Sequence, residues 1–483
     1  MKENTFNKYK LSKEIIKSLD LMGFSEPTEV QKKAIPLIIN GDSVIIKSQT
    51  GSGKTAAFGI PLCELIDWED LLPQALVLLP TRELAVQVSE DLFNIGRFKI
   101  LKVLPVYGKT PITHQVKNLK QKIHIVVGTP GRVIDLIDRS ALDLTNIKYL
   151  VLDEADEMLN MGFIDDVEYI LNKLPNNKQS ILLSATMPDK IKTLVDKYIK
   201  NKKLIESEEK TDVKDMISQE VYNVAENEKI KLLKDVSIVE NPDSCIIFCN
   251  TKQKVDDIYD SLYKSAYPIE KIHGGIEQDD RLQLMKKFKS GLFRYLVATD
   301  VAARGLDIDS ISLIINYDIP VDPENYIHRI GRTGRIGKKG KAITFKTAYE
   351  NKFFNEIENI IGMTIPIKEW PDKNIVSKLK ESFKEKIYTA SEIKISKGTQ
   401  LSKEILKLHI NAGRKTKMRA VDIVGTLCNI DGIKKEDIGI IEVRDISTFV
   451  EILNNKGQFV FDQLQELPIK GRIRRVSKAD DIK

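Results

Sequence analysis

Short continuous apolar runs, each closed at once by a polar segment, constrain this chain more than any other feature. Residues 75–79, 123–127, 149–152 and 180–183 are runs of this kind. Such runs read as parallel strands buried on both faces. They are followed by Pro80-Thr-Arg-Glu83, Gly128-Thr-Pro-Gly-Arg132, Asp153-Glu-Ala-Asp156 and Ser184-Ala-Thr186. In open α/β sheets ligands bind beyond the carboxyl ends of the strands, so these polar segments are expected to share one rim.

Residues 43–47 form another such run, leading into Ser48-Gln-Thr-Gly-Ser-Gly-Lys-Thr55. The glycines of a loop like this let backbone N–H groups of Thr50, Gly51, Ser52 and Gly53 turn toward phosphate oxygens. Lys54 can then reach the terminal phosphates, and the Thr55 hydroxyl can bind Mg2+. Ser48 stands where the strict pattern has glycine. A Gly/Ser-rich turn with a surface lysine is the other reading, and the flanking strand and helix patterns favour the phosphate loop. Upstream, Thr28-x-x-Gln31 is a capping-box pattern, so by itself Gln31 marks only a helix start. Residues 11–19 carry apolar positions at helical spacing.

After the polar stretch 207–212 the strand pattern restarts at residues 245–249, 295–298, 313–316 and 341–345, without a second phosphate loop. Two α/β units sharing one nucleotide at their boundary are expected, and a second unit that merely packs on the first is the plainer reading. Residues 366–402 read as a charged connector. From 403 the order changes to strand (405–410), helix (420–430), two strands (438–443, 448–453), helix (459–467) and strand (472–476). That β-α-β-β-α-β order is a ferredoxin-like plan, used by RNA-recognition domains and by unrelated proteins. The expected division is 1–206, linker 207–212, 213–365, connector 366–402 and 403–480.

The net charge of +6 is unevenly placed: residues 366–483 hold 24 Lys and Arg against 17 Asp and Glu, leaving −1 for residues 1–365. A nearly neutral body with an appended binder of anionic polymer fits this distribution, and a solvated lysine-rich surface is the plainer alternative. Cys63, Cys245, Cys249 and Cys428 form no Cys-x-x-Cys pair, so core packing is expected of Cys245 and Cys249 rather than zinc or a disulfide. The absence of a long apolar run and the polar start at Met1 lead to the expectation of a soluble cytoplasmic protein without membrane contact, and a monomer is expected.

Together these segments resemble the DEAD-box RNA helicase family over residues 6 to about 365, which implies an α/β fold of two tandem RecA-like parallel-sheet domains, here followed by a C-terminal α+β RRM-like domain. Phe6 and the Gly23 to Gln31 segment are similar to the family's adenine-reading motif, which makes Gln31 a base reader. The resemblance implies that ATP and Mg2+ are the cofactors, that Asp153 holds the metal with Thr55, and that Glu154 orients or deprotonates the attacking water. His273-Gly-Gly-Ile-Glu-Gln278-x-x-Arg281, Thr299-Asp300 through Arg304 and Asp307, and His328-Arg329-Ile-Gly-Arg332-Thr-Gly-Arg335 match its later motifs. Arg332 and Arg335 resemble its arginine fingers, Asp307 a nucleotide contact, and Ser184, Thr186 and His328 its coupling residues. RNA contacts are implied at Pro80, Thr81, Arg82, Thr129, Pro130, Gly131, Arg132, Thr299 and Asp300. Tyr107-Gly108-Lys109 departs from the paired glycines of many members.

The C-terminal segments Asn411-Ala-Gly-Arg414 through Gly425, Asp437 through Arg444, and Gly471-Arg-Ile-Arg-Arg475 resemble the DbpA/YxiN group. The group's pattern implies docking on a hairpin of 23S ribosomal RNA and a role with pre-50S particles. Recognition is expected on Arg414, Lys415, Lys417 and Arg419 and on Arg472, Arg474 and Arg475, with Phe449 in the core. The alternatives are a general RNA-decay or cold-adaptation helicase, and an RNA chaperone or scaffold that does not need turnover.

Overall fold

The computed structural model describes residues 5–48, 52–206, 216–303, 311–334, 339–389 and 404–479. The expected linker 207–212, the end of the connector, and Thr50, Gly51, Asp307 and Arg335 lie outside the described residues.

The first sheet contains β1 (Ser43–Lys47), β2 (Ala75–Leu78), β3 (Val103–Val106), β4 (Ile125–Gly128), β5 (Tyr149–Leu152), β6 (Gln179–Ser184) and β7 (Lys202–Glu206). They are ordered β3-β4-β2-β5-β6-β1-β7, with every pairing parallel. Because side chains alternate across a strand, one apolar run supplies two cores. Val44 and Ile46 pack in one layer with Val77, Val151 and Ile181, while Ile45 packs in the opposite layer with Leu76, Leu150 and Leu182.

The second sheet contains β8 (Ile217–Asn223), β9 (Cys245–Cys249), β10 (Ile269–Ile272), β11 (Tyr295–Thr299), β12 (Leu313–Asn316), β13 (Gly340–Lys346) and β14 (Ile367–Lys368). Its order is β10-β11-β9-β12-β13-β8-β14, again parallel. Cys245 and Cys249 are fully buried in the same layer as Ile247, as core residues. Burial pushes both thiols well above their ordinary range. The strands without a sequence signal, β3, β7, β8, β10 and β14, lie at or next to sheet edges, where one side faces polar surroundings and the continuous apolar run disappears.

The third sheet is antiparallel: β15 (Leu406–Ile410), β16 (Ile438–Val443), β17 (Thr448–Ile452) and β18 (Val476–Lys478) in the order β16-β17-β15-β18. Helices Ala420–Cys428 and Gly457–Gln463 complete the β-α-β-β-α-β plan. The last strand starts later than the expected 472–476, since Lys470 and Gly471 turn the chain with φ of +53° and +74°. The second helix starts earlier than 459 because Gly457 packs tightly on β15; a Cβ there would meet Leu406 Cβ at 2.1 Å. Phe449 corrects another expectation. It alternates with the core residues Val450 and Ile452 and so lies on the other face, 5.0 Å from His409 ring to ring and 4.6 Å from the Arg444 guanidinium. Among the described residues no helix is long and apolar enough to cross a membrane.

Candidate active site and RNA interface

The phosphate loop leaves β1 and enters the helix Lys54–Leu65. Lys54 is buried and its Nζ donates to Ser48 O at 3.2 Å. Gly53 takes φ +82°, and a Cβ there would stand 2.5 Å from Gln31 Nε2. Glycine is needed for both reasons. Gln31 does two things at once: its Oε1 accepts from Thr28 N at 3.0 Å, completing the capping box, and its Nε2 donates to Gly53 O at 3.1 Å. Thr28 Oγ1 donates to Ser52 O at 3.0 Å, so the helix start braces the loop. Phe6 is fully buried behind this segment, its ring 6.4 Å from that of Phe24 and edge-on to it.

At the end of β5, Asp153 is 5% exposed and burial raises its carboxyl, opposed by the Lys54 charge. Its Oδ1 accepts from Glu154 N at 2.9 Å. Glu154 takes the left-handed φ of +52°. Burial, then the Asp153 charge, push the Glu154 carboxyl from 4.5 to about 7, against the pull of Lys54 and Arg332. Two adjoining carboxyls held above their ordinary range beside a lysine form a site suited to a divalent cation and to proton transfer. Thr55, in the first turn of the next helix, is half-buried. The residues present therefore fit a Mg2+-nucleotide.

The rims of the two parallel sheets face each other. Arg332 is 8% exposed and comes from the second unit, yet its charge acts on Glu154. His328 Nε2 lies 3.3 Å from Glu157 Oε1. Arg281 Nη2 lies 2.9 Å from Glu83 Oε1, which also accepts from Gln278 Nε2 at 2.9 Å. Gln278 Oε1 in turn accepts from Arg82 Nη1 at 3.3 Å. The cleft is closed in this structure.

Asp156 Oδ2 accepts from Ala185 N at 3.1 Å, Thr186 N at 2.8 Å and Thr186 Oγ1 at 3.0 Å. Ser184 Oγ donates to Thr186 O, and Ser184 O accepts from Ser48 N at 3.1 Å. This chain of bonds joins the acidic tetrad, the end of β6 and the phosphate loop.

On the expected RNA rim of the first unit, Thr81 caps the helix Arg82–Ile95, accepting from Leu84 N. Pro130 opens the helix Pro130–Asp138 behind Thr129, and Gly131 is exposed with open space where a Cβ would project. Arg132 is held by Thr110 O at 3.1 Å and Gln115 Oε1 at 3.0 Å. A Cβ on Gly108 would meet Arg82 Nη2 at 3.3 Å, while Lys109 takes φ +60°, a conformation that favours glycine. In the second unit Thr299 is buried at the end of β11, and the Asp300 carboxylate is held by Arg329, with Oδ2 2.7 Å from Nη2. Arg329 also donates to Asn250 Oδ1 and Asp318 O.

In the third unit Arg414, Lys415, Lys417 and Arg419 are exposed, as are Arg472 and Arg475, with Arg474 half-buried. Lys470 brings the two basic segments together, its Nζ donating to Lys417 O at 2.6 Å and pairing with Asp422 at 3.1 Å. Arg414 donates to Val443 O, and Arg419 pairs with Asp422 at 3.4 Å. The bridging roles of Glu83, Asp156, Gln278, Arg281, Arg329 and Lys470 escaped sequence reasoning. Most of them stood inside recognised motifs, but a motif does not say what its residues face.

Residues 28–194 match the DEAD/DEAH box helicase model, 228–337 the helicase conserved C-terminal domain, and 407–478 the DbpA RNA binding domain. The chain is 51% identical over 475 residues to the ATP-dependent RNA helicase DbpA of Bacillus subtilis (strain 168), covering 98% of this chain and 99% of that one. It is 47% identical to the DEAD-box ATP-dependent RNA helicase CshA of Geobacillus kaustophilus (strain HTA426), over 73% of this chain and 76% of that one. Among solved structures it resembles S. cerevisiae Dbp5 bound to RNA and ADP BeF3, with a TM-score of 0.70 and 32% identity, covering 79% of this chain and 100% of that one. With its tandem parallel sheets, shared nucleotide cleft and appended RNA-binding unit, the chain belongs to the DEAD-box ATP-dependent RNA helicases, in their DbpA group.

Proposed function

We propose that this helicase opens short RNA duplexes locally, without processive travel, and that its C-terminal unit directs it to a hairpin of 23S ribosomal RNA during large-subunit assembly in the cytoplasm. The observation that carries the catalytic part is the position of Glu154, raised to about 7 between Asp153 and Lys54 on one side of the cleft and Arg332 on the other. In this reading Gln31, with Phe6 behind it, reads the adenine. The N–H groups of residues 50–53 and Lys54 hold the phosphates, and Asp307 contacts the nucleotide. Thr55 and Asp153 would hold Mg2+, which neutralises phosphate charge when bound. Glu154 orients the water and takes its proton. Arg332 and Arg335 stabilise the transferring group, an effect typically worth ~10³–10⁵ in rate.

RNA lies along Pro80 to Arg82, Thr129 to Arg132, and Thr299 and Asp300. Ser184, Thr186 and His328 carry its arrival to the nucleotide. Because the fingers and the phosphate loop come from different units, only the closed cleft is competent, and RNA bound to both units shifts the population toward closure. The proposed units are 1–206, 403–480 and, between them, a second unit that runs from 213 past the expected boundary at 365, because β14 pairs with β8 and Phe383 of the helix Lys373–Tyr388 packs in the same core.

Clustering of Arg414 to Arg419 with Arg472 to Arg475 through Lys470 supports recognition of a folded RNA by the third unit. The test is ATPase stimulation by a library of short RNA hairpins. The expected result is strong stimulation by the ribosomal hairpin, lost in Lys54→Ala, which keeps hairpin binding. Equal stimulation by every RNA overturns the 23S assignment and leaves a general helicase.

A further inference from the structure

We infer that the outer face of the C-terminal unit's sheet is a docking face for the first α/β unit, so that the third unit sits in one fixed place on the helicase body. The face is the side of the β15–β17 ladder turned away from that unit's own core, carrying Lys407, His409, Phe449 and Glu451. Glu451 points outward from its own unit and is still only 5% exposed, because the first unit covers it. Arg97 Nη2 lies 3.1 Å from Glu451 Oε1, with side chains 14% and 7% exposed. Burial pushes the Glu451 carboxyl up and the Arg97 charge pulls it back. A carboxylate is not left in such a place without its partner.

The contact extends along a strip. Lys17 lies 3.3 Å from Glu404 and 2.5 Å from Asn454 Oδ1, with its ammonium 4.3 Å from the centre of the Phe98 ring. Lys117 lies 3.1 Å from Asp445, and Lys102 and Glu442 act on each other's charge. Ile405 and Leu453 pack into the apolar core of the first unit, alongside Phe98 and Leu101. Lys17, Arg97, Lys102 and Lys117 thus meet Glu404, Glu451, Glu442 and Asp445. In a unit with a basic excess, these acids gather on the face that meets the body, while Arg414, Lys415, Lys417, Arg472 and Arg475 stay exposed.

The docking also places the basic loop. Arg414 N donates to Arg444 O and Lys415 N to Asp445 O, both at 2.8 Å, so the loop hangs from the turn that meets Lys117. Lys117 belongs to the helix Ile112–Leu119, whose Gln115 holds Arg132 on the RNA rim. An RNA gripped by the loop is therefore presented to that rim in one orientation.

Förster transfer between dyes on the exposed Cys428 and on an Asn118→Cys substitution tests this in the full chain without RNA; the three other cysteines are buried. High transfer is expected in the parent. Arg97→Glu should move the docked-to-undocked ratio by about tenfold or more, and Arg97→Glu with Glu451→Arg should restore most of it. Lys117→Glu, at an exposed pair that carries no folding risk, should shift it by about twofold. Low transfer in the parent, or transfer unchanged by Arg97→Glu and Lys117→Glu alike, overturns the docking. Low transfer together with a loss of hairpin affinity in Phe449→Ala would assign the face to stacking on RNA bases instead.

Discussion

Glu83 and Arg281, from different α/β units, form a mostly buried ion pair with 2.9 Å between Oε1 and Nη2. Glu83 follows Arg82 of the expected RNA rim, and Arg281 shares a helix with Gln278, which touches Arg82. Closure of the cleft is thus tied to the rim residue itself.

Glu83→Ala leaves the Arg281 guanidinium buried without its carboxylate, a loss of about 3–5 kcal/mol for such pairs. That loss falls on the closed state alone. RNA-stimulated kcat should drop by about tenfold or more, while ATP binding to the open protein is unchanged. Steady-state ATPase titrated with RNA reads this, and a normal stimulated rate would remove the pair from closure.

Glu154 gives a pH-dependent effect. Its carboxyl is raised from 4.5 to about 7 by burial, so the nucleotide-free fold holds a proton that the unfolded chain releases. The stability this group contributes is present below about pH 4.5 and is lost as pH rises through about 7. Glu154→Gln should therefore match the parent in thermal midpoint near pH 4 and exceed it at pH 8, while losing turnover throughout. A constant difference between the two midpoints across that range contradicts the raised carboxyl.

Asp156→Ala removes the acceptor shared by Ala185 N, Thr186 N and Thr186 Oγ1. An unsatisfied buried donor costs about 1–3 kcal/mol. The variant should melt several degrees lower and lose RNA stimulation more than basal turnover, because the link from β6 to the tetrad is cut. Parallel melting curves and ATPase assays with and without RNA measure both effects.

The basic loop makes phosphate contacts in the proposed reading. Removing Lys415 and Lys417 together should weaken hairpin binding and lower the slope of log affinity against log salt by about 0.7 per contact for single-stranded RNA. A fall in affinity with the slope unchanged would place both lysines outside phosphate contact.

The chain's local chemistry determined much of this protein. Apolar runs at 43–47, 75–79 and 149–152 are local patterns, and they already specify strands buried on both faces with a polar rim behind them. The phosphate loop is equally local, since Gly53, Lys54 and Thr55 act through their own backbone and side chains. Only the tertiary structure decided which residues meet. Arg82 and Gln278 are 196 residues apart, and Arg97 and Glu451 are 354 apart. Phe449 illustrates the difference: its strand was legible, but which of two faces it takes depends on register, and one residue of shift reverses it. The loop at 48–55 was legible as half of a site; the other half, Arg332 over Glu154, exists only where two sheets face each other, because charge acts through space rather than along the chain.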